Sequence, residues 1–341
     1  METDAFDLRL ALAACTGLAL LCAAFLRRGW RDDRWARRMT ANALLALFSL
    51  TFSLLASEWA FRTFLTVSDG WNITWASRRW HARYWKPVNS LGFRDSEHSD
   101  SSRAGRKLLF VLGDSFAAGH GIRDVRQRFA DIIGEGLGPA WKVVLLARNG
   151  WNTSDQLAAL RTQAQTPAAV LLSYYINDID PEPPTERRAA QFVDMPDGVV
   201  RRIIEASHVF NFLYWRARRG SIGNDYWTWL KDQYNSPAAW NRHLRELEAV
   251  MDHAAAHDVA LSVMVWPHLA RVAESRAIAG RIAAVFQERG IPVLDLAGRF
   301  GGRPPSELVV NALDVHPDAG VHAEVARLWL DRIAPGIELR Q

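Results

Sequence analysis

A serine and a histidine together can carry out nucleophilic acyl transfer, and Ser115 and His316 are a candidate pair although they lie far apart in the chain. Ser115 comes shortly after the apolar run Lys107–Leu112, and Asp314 precedes the histidine by two positions. A serine hydroxyl is a poor nucleophile until a base takes its proton, and a histidine oriented by a carboxylate is such a base. On extended backbone, residues two apart point the same way, so Asp314 and His316 can face one site. The set predicts a serine–histidine–aspartate triad.

Negative charge that develops on a substrate carbonyl needs hydrogen-bond donors placed in advance. Gly150 can bring its backbone N–H close because it has no side chain, and Asn177 can offer an amide donor. A strand-to-helix turn at Ser115 would add the N–H of that residue, near the positive end of the helix. We therefore expect Ser115, Gly150 and Asn177 to form an oxyanion hole, with Asp114 and Asp178 bracing the loops. The alternative is that the glycine and the asparagine are ordinary turn residues.

Short apolar runs alternate with amphipathic stretches from residue 107 onward. The strand-like runs are Lys107–Leu112, Trp141–Ala147, Ala168–Tyr175, Val259–Trp266 and Ile291–Leu294. The helix-like stretches include Val125–Leu137, Ser154–Gln165, Ala238–His257, Arg271–Arg289 and Ala319–Ile333. This alternation predicts a three-layer α/β domain with a mainly parallel five-stranded sheet. Ligands bind beyond the carboxyl ends of such strands, so the loops that carry the candidate residues should open at one edge.

The same residues resemble the SGNH, or GDSL-type, hydrolase superfamily. Its four motif blocks are matched, in order, by Gly113 to Ser115, by Gly150, by Asn177 with Asp178, and by Asp314 with His316. The stretch from Asn89 to Asp95 also resembles a lead-in that many bacterial members have before the first strand. The resemblance runs from about Asn89 to the C-terminus.

The resemblance implies a flavodoxin-like domain in which Ser115 is the nucleophile, His316 the base and Asp314 its orienting acid. The backbone N–H groups of Ser115 and Gly150 would form the oxyanion hole with the Asn177 side chain. No metal ion or organic cofactor is implied.

The sequence departs from the family pattern at two positions. Tyr175 stands where the third block usually has a glycine, which would narrow or reshape the acyl pocket. Many members separate the acid and the histidine by two residues, and Leu313 holds that acid position here. Asp314 is the preferred acid because the shorter spacing also occurs in the superfamily, and Asp318 is the alternative.

Two further histidines are near the motifs. His120 is a candidate for substrate contact, the alternative being a loop histidine without a function, whereas His322 is expected to pack or cap. The remaining histidines lack the paired spacing of metal ligands.

Two apolar runs near the N-terminus predict a two-helix transmembrane hairpin within residues 1–65. Leu8–Leu26 is almost wholly apolar and Ala41–Ser57 is uncharged, and a spanning helix needs about 20 such residues. Interfacial aromatic residues extend the second run: Trp59, Phe61 and Phe64.

The charges around these runs predict the orientation of the hairpin. An arginine cluster separates them: Arg27, Arg28, Arg31, Arg34, Arg37 and Arg38. Positive charge in short loops stays in the cytoplasm, so everything after about Leu65 should be extracytoplasmic (periplasmic) and anchored in the cell (inner) membrane. A cleaved signal peptide is an alternative, but the arginines follow the apolar run instead of preceding it. A lipoprotein cleavage box at Cys15 is disfavoured because the apolar stretch continues beyond it.

Residues 66–106 show little periodicity and are interpreted as a juxtamembrane connection to the hydrolase-like domain, residues 107–341. An insertion at about 181–237 is rich in arginine and aromatic residues. Insertions of this size are commonly lids or binding loops, so a lid or a membrane-surface role is expected. The alternative is a helical subdomain that packs its aromatic residues inward.

Composition excludes several classes of protein. The 341 residues are 49% hydrophobic and 23% charged, which argues against disorder. The net charge of +4 owes much to the arginine loop and favours contact with anionic lipid headgroups. The sequence has no repeat of basic and aromatic residues that would indicate nucleic-acid binding. Both cysteines lie in the first apolar run, so the main domain has neither a disulfide framework nor a cysteine nucleophile.

Three functions remain open from the sequence. The first is a membrane-anchored serine esterase or deacylase that acts on an acyl ester of a cell-envelope glycan, a lipid or a small molecule. The second is an O-acyltransferase that passes the acyl group to an envelope polysaccharide, which requires a site that excludes water. The third is a non-catalytic binding or scaffold module, because fold alone does not guarantee activity.

Overall fold

The structure, a computed structural model of the chain, describes residues 34–181 and 191–338, together with the isolated positions 16, 17, 19 and 24. Its centre is a five-stranded parallel sheet with the order β2-β1-β3-β4-β5. The strands are β1 (Lys107–Gly113), β2 (Trp141–Ala147), β3 (Ala169–Tyr175), β4 (Ala260–Trp266) and β5 (Val293–Asp295). This order is that of flavodoxin-like folds, so the predicted α/β class is confirmed.

Burial explains why these segments form strands. Every residue of β3, and all of β1 except Lys107, is buried. Because successive side chains of a strand point to opposite faces, such continuous burial requires a helical layer on each face of the sheet. The near-continuous apolar runs in the sequence are the signature of this arrangement.

The helices that the structure describes before β3 are α1 (Arg34–Thr63), α2 (Trp75–Tyr84), α3 (Asp100–Arg103), α4 (Ser115–Ala118), α5 (Phe129–Leu137) and α6 (Thr153–Arg161). Those after β3 are α7 (Val199–Ala206), α8 (His208–Asn235), α9 (Pro237–Ala256), α10 (Val272–Gln287), α11 (Leu296–Phe300), α12 (Ala319–Arg332) and α13 (Ala334–Glu338). Short 3-10 turns span Val125–Gln127, Ile176–Ile179 and Pro305–Glu307. A second sheet is an antiparallel pair, β6 (Val309–Asn311) and β7 (Asp314–Pro317).

The chain divides into two compact units. One comprises residues up to 65 together with 198–213, and the other comprises residues 66–197 and 214 onward. Residues 66–106, interpreted from the sequence as a connection, therefore belong to the same unit as the sheet, and they include helix α2. The insertion contributes to both units: α7 and the start of α8 belong to the first, and the rest of α8 to the second.

One stretch of the described residues, Arg38–Thr63 within α1, is long and apolar enough to cross a membrane, and its apolar window is unburied. It contains the second predicted run, Ala41–Ser57. The first run, Leu8–Leu26, lies outside the described residues apart from isolated positions, so the two-helix hairpin stays a prediction.

Within the first unit, the end of α1 holds the start of α8. The Glu58 carboxylate accepts hydrogen bonds from Ser207 Oγ (2.7 Å) and from the backbone N–H groups of His208 (2.8 Å) and Val209 (3.1 Å). The first N–H groups of a helix have no partner within the helix, so this carboxylate caps α8. Arg62 pairs with Glu58 and also donates to the carbonyl oxygen of Ala206 (2.9 Å).

Candidate active site

Ser115 lies at the turn between β1 and the short helix α4. The preceding Asp114 accepts a hydrogen bond from the Phe116 N–H (2.8 Å) and thereby caps α4. Gly113 is required at this turn, because a Cβ atom there would lie 2.6 Å from the Ala117 Cβ and 3.1 Å from the Ser173 carbonyl oxygen. The tight turn places the serine at the carboxyl end of β1.

His316 joins Ser115 to Asp314 through two hydrogen bonds. Its Nε2 atom lies 2.8 Å from Ser115 Oγ, and its Nδ1 atom lies 2.5 Å from Asp314 Oδ1. Asp314 and His316 are both on strand β7, where side chains two apart point the same way. All three residues are buried, although Ser115 and His316 each keep a small exposed fraction of 7%. The geometry is that of a nucleophile, a base and an orienting acid.

The environment of Asp314 keeps its carboxylate charged. Burial alone would raise the pKa of Asp314, but the charge interactions with His316 and His120, together with hydrogen bonds from His316 and Ser68, hold that pKa well below its usual value. Ser68 donates its hydroxyl hydrogen to Asp314 Oδ2. A charged acid at Nδ1 fixes the tautomer in which Nε2 of His316 can accept the serine proton.

His120 is packed against His316. Its ring lies 4.5 Å from that of His316, and its Nε2 atom lies 2.8 Å from the Asp69 carbonyl oxygen. The other ring nitrogen, Nδ1, lies 3.1 Å from the Asn149 amide nitrogen. Burial, followed by the charge of His316, lowers the pKa of His120 to about 4, so the ring is neutral near pH 7. A neutral ring donates to the carbonyl of Asp69 and accepts from Asn149.

The three predicted oxyanion donors line one cavity. Ser115, Gly150 and Asn177 all contribute to its wall. Gly150 has a φ of +70°, a left-handed conformation that favours glycine and turns the loop after β2. Burial raises the pKa of the Asp114 carboxyl to about 6. Asn177, on the 3-10 turn after β3, lies close enough to that carboxyl to oppose the shift. Asp178 accepts a hydrogen bond from Gln156 Nε2 (2.9 Å) and braces the same turn.

The cavity has a volume of about 700 Å³. Beside Ser115, the rings of Phe116 and Tyr175 stack with centroids 4.0 Å apart. Tyr175 thus fills space that a glycine at this position would leave open. Another wall is formed by the loop of residues 69–74 before α2, and a third by residues 215–226 of α8.

Sequence reasoning missed the contribution of the segment before β1. Ser68 and the loop 69–74 lie in a stretch without apolar periodicity, which gave no signal. Arg94 belongs to the noted lead-in, and its buried guanidinium donates to the carbonyl oxygens of Gly119 (2.5 Å), Ile122 (2.6 Å) and Tyr84 (2.8 Å). Arg94 therefore fixes the loop that follows Ser115.

The structure also separates the alternative site residues from the triad. Asp318, the alternative acid, accepts from the Val321 N–H (2.8 Å) and caps α12. His322 packs at 5.6 Å against the ring of Phe129 and accepts from the Phe129 N–H through Nδ1 (3.2 Å). Their contacts are those of capping and packing residues.

In the described part of the chain, one group of residues at the site has side chains of the types that bind metal ions. Ligand atoms of His120, Asp314 and His316 lie within 4.8 Å of one another. Ring nitrogens of both histidines and the carboxylate already take part in the hydrogen bonds given above. These ligand atoms are therefore already engaged with protein partners in the structure.

Comparisons with known proteins agree with this geometry. A sequence model of the GDSL-like Lipase/Acylhydrolase family matches residues 111–323. No curated protein sequence matches the chain significantly.

Among solved structures, TesA is 17% identical, covers 67% of this chain and 99% of its own, and has a TM-score of 0.43. The acetyl xylan esterase AlAXEase is 13% identical, covers 66% of this chain and 100% of its own, and has a TM-score of 0.41. A lipolytic G-D-S-L protein from Veillonella parvula is 11% identical, covers 67% of this chain and 98% of its own, and has a TM-score of 0.41. At these scores the likenesses carry no conclusion about activity.

The family match spans more than half of the chain and includes Ser115, Asp314 and His316. The chain therefore belongs to the GDSL-like lipase/acylhydrolase family and is an enzyme that hydrolyses ester bonds.

Proposed function

We propose that this protein is a membrane-anchored serine esterase or deacylase that removes a short acyl group from an ester of the cell envelope. The reaction would pass through an acyl-enzyme on Ser115. The observation that carries the proposal is the unbroken hydrogen-bond chain from Ser115 Oγ through His316 to Asp314, with distances of 2.8 Å and 2.5 Å.

In the proposed mechanism, His316 Nε2 takes the hydroxyl proton as Ser115 Oγ attacks the ester carbonyl. The charge on the carbonyl oxygen is stabilised by the N–H groups of Ser115 and Gly150 and by the Asn177 side chain. His316 then returns the proton to the leaving alcohol, which leaves the acyl group on Ser115. A water molecule, deprotonated by the same histidine, attacks the acyl carbonyl; the bond to Ser115 Oγ breaks, the histidine returns its proton to that oxygen, and the carboxylic acid is released.

The preference for a short acyl group follows from the wall beside the nucleophile. Phe116 and Tyr175 are both buried, and their stacked rings occupy the space next to Ser115. An apolar surface suits the hydrocarbon part of an acyl group. A long chain would have to displace a packed ring, so acetyl and similar groups are favoured.

Membrane anchoring is supported by the first unit. Helix α7 presents three exposed apolar side chains: Val199, Val200 and Ile203. Glu58 and Arg62 tie the junction of α7 and α8 to the last turns of α1. If Arg38–Thr63 crosses the bilayer, α7 lies at the level of the headgroups, where an amphipathic helix is stable. The arginine cluster from Arg27 to Arg38 favours a catalytic unit outside the cytoplasm.

Turnover of 4-nitrophenyl acetate by the detergent-solubilised full chain tests the proposal. Ser115→Ala should lower kcat/KM by about a thousandfold or more. Ser102→Ala, which changes a partly exposed serine that does not line the cavity, is the matched control and should leave turnover unchanged. Full activity of the Ser115 variant would remove the acyl-enzyme, and inactivity of the unaltered protein on every ester offered would favour the scaffold alternative.

Acyl transfer to a sugar hydroxyl is the second candidate. The cavity of about 700 Å³ is larger than a short acyl group requires, so it has room for an acceptor as well. Supplying envelope glycans with the acyl donor and analysing the products by mass spectrometry separates the two reactions. Acylated glycan would identify a transferase, and free acid alone would identify a hydrolase.

A further inference from the structure

Three arginines line the active-site cavity without a role in the proposed chemistry. Arg216 and Arg219 are on α8, and Arg271 directly precedes α10. Arg271 donates to Asn224 and lies 3.2 Å from Glu274. In the part of the chain that the structure describes, Arg216 and Arg219 have no hydrogen-bond or ion-pair partner.

Arg219 is only partly exposed to solvent. Burial lowers the pKa of Arg219, and the carboxylate of Asp314 opposes that shift. A guanidinium that has lost part of its hydration without gaining a counterion attracts an anion that enters the cavity.

His268 lines the same region and is more than nine-tenths buried, with an exposed fraction of 6%. Its Nδ1 atom has no hydrogen-bond partner among the described residues. Burial, followed by the charges of Arg271 and Arg219, lowers the pKa of His268 to about 4. Both guanidinium groups are therefore close to a neutral ring that has an unused polar atom. Arg271 has Glu274 as a counterion, whereas Arg219 has no ion-pair partner among the described residues.

The acidic residues of the cavity do not neutralise that wall. Asp69 accepts from the N–H groups of its own loop at Trp71 (3.0 Å), Ile73 (3.1 Å) and Thr74 (2.9 Å). Asp180, beside the turn that carries Asn177, is the other carboxylate that lines the cavity. Its negative charge adds to the effect of burial in raising the pKa of Tyr226. Arg216 and Arg219 thus keep unsatisfied donors for a ligand.

We propose that Arg219, assisted by Arg216 and Arg271, binds a carboxylate or phosphate on the alcohol part of the substrate. This inference rests on the proposed function, and it assigns the substrate to one chemical class: short-chain acyl esters of an acidic sugar or of another anionic alcohol. The stacked rings of Phe116 and Tyr175 offer the acyl group an apolar surface, which leaves the arginine wall for the alcohol part. Arginine suits this task because its planar donors bind both oxygens of a carboxylate or phosphate.

A matched set of three substrates tests the proposal: a mono-O-acetylated methyl glucoside, its uronic acid and its 6-phosphate. Acetate release by the full chain should show kcat/KM at least about tenfold higher for one of the anionic esters than for the neutral one, as expected for charge-assisted hydrogen bonds. Which anion is preferred distinguishes a carboxylate ligand from a phosphate ligand. Arg219→Gln should abolish most of that preference through KM, and Arg219→Lys should retain part of it. Arg218→Gln changes the neighbouring arginine, which does not line the cavity, and should leave all three values unchanged.

Binding measured without turnover separates this inference from the proposed function. Ser115→Ala protein, titrated with the same three esters by calorimetry, should bind an anionic ester about tenfold more tightly than the neutral one, and Arg219→Gln in that background should remove the difference. Equal affinity and equal kcat/KM for all three esters would overturn the inference while leaving the esterase intact. Loss of the proposed nucleophile without loss of turnover would overturn the esterase mechanism, and the calorimetric difference would still decide the role of Arg219.

Discussion

Ser68 donates a hydrogen bond to Asp314 across a separation of 246 residues in the chain. The two residues are connected a second time through their neighbours, since the Gly70 N–H donates to the Leu313 carbonyl oxygen (3.1 Å). The Asn311 side chain also donates to the Ser68 carbonyl oxygen (3.1 Å). The segment that precedes the sheet therefore holds the acid of the candidate triad in place.

Replacing Ser68 tests this support of the acid. Ser68→Ala leaves Asp314 Oδ2 without its donor, and a hydrogen bond to a charged group is worth about 1.5–3 kcal/mol. We expect kcat to fall by about tenfold and KM to change little, because Ser68 does not line the cavity. Ser68→Thr keeps a hydroxyl and should recover part of the loss. Ser90→Ala, which removes a hydroxyl that donates to the exposed Glu97, is the control. An unchanged kcat in Ser68→Ala would show that the acid needs no second donor.

The stack of Tyr175 on Phe116 should set the length of the acyl group. Tyr175→Ala opens space next to Ser115, so the ratio of kcat/KM for 4-nitrophenyl hexanoate to that for the acetate should rise by about tenfold, since a few methylene groups gain apolar contact. Tyr175→Phe keeps the ring and should leave the ratio as it is. The ratio is measured within each variant, so it does not depend on the fraction of folded protein. A ratio that stays constant in both variants would place the acyl group elsewhere.

Protonation of His322 should contribute to acid destabilisation. Burial, followed by the charge of Arg128, lowers the pKa of His322 to about 3, whereas the unfolded chain binds this proton near pH 6.5. A histidine with a depressed folded pKa loses its stabilising contribution as the pH falls below the unfolded value. At pH 5 the loss from this one group is about 2 kcal/mol, at 1.36 kcal/mol per pKa unit.

His322→Gln removes that titration and keeps an acceptor for the Phe129 N–H. Urea unfolding at pH 7.5 and pH 5, followed by tryptophan fluorescence, should show a smaller loss of unfolding free energy in the variant than in the unaltered protein. Equal losses would mean that His322 is already protonated in the folded state.

The cap that Glu58 provides should hold residues 198–213 on the end of α1. Glu58→Ala removes the acceptor for Ser207 Oγ and for the His208 and Val209 N–H groups, and lost caps cost about 1–2 kcal/mol. Limited proteolysis of the protein in detergent should then cut between residues 198 and 213 several times faster. Glu205→Ala, which removes the partner of Arg201 on the exposed face of α7, is the control. Similar cleavage rates for both variants would contradict the cap.

The sequence was sufficient to predict the sheet because the central strands β1, β3 and β4 are buried on both faces and are therefore almost continuous apolar runs. The candidate triad was also predictable, because Ser115 follows a strand and Asp314 precedes His316 by two residues, and the structure brings the three side chains together. Helix α2 was missed because its buried face consists of Ala76, Ser77 and Trp80, which gives a weak apolar period.

The positions of Ser68 and Arg219 at the site depend on tertiary structure alone. A serine in an irregular loop and an arginine in an arginine-rich insertion have no local pattern that distinguishes them from solvent-exposed residues. Only folding brings Ser68 to Asp314 and Arg219 to the wall of the cavity.

Covalent labelling is the most direct test of the central claim that Ser115 is a nucleophile activated by His316. The full-length protein in detergent is treated with an aryl alkylphosphonate, digested and mapped by mass spectrometry. We predict one adduct, on the peptide that contains Ser115, which disappears in Ser115→Ala and forms at least about a hundredfold more slowly in His316→Ala. An adduct on a different residue, or labelling of Ser115 at an unchanged rate without His316, would contradict the account.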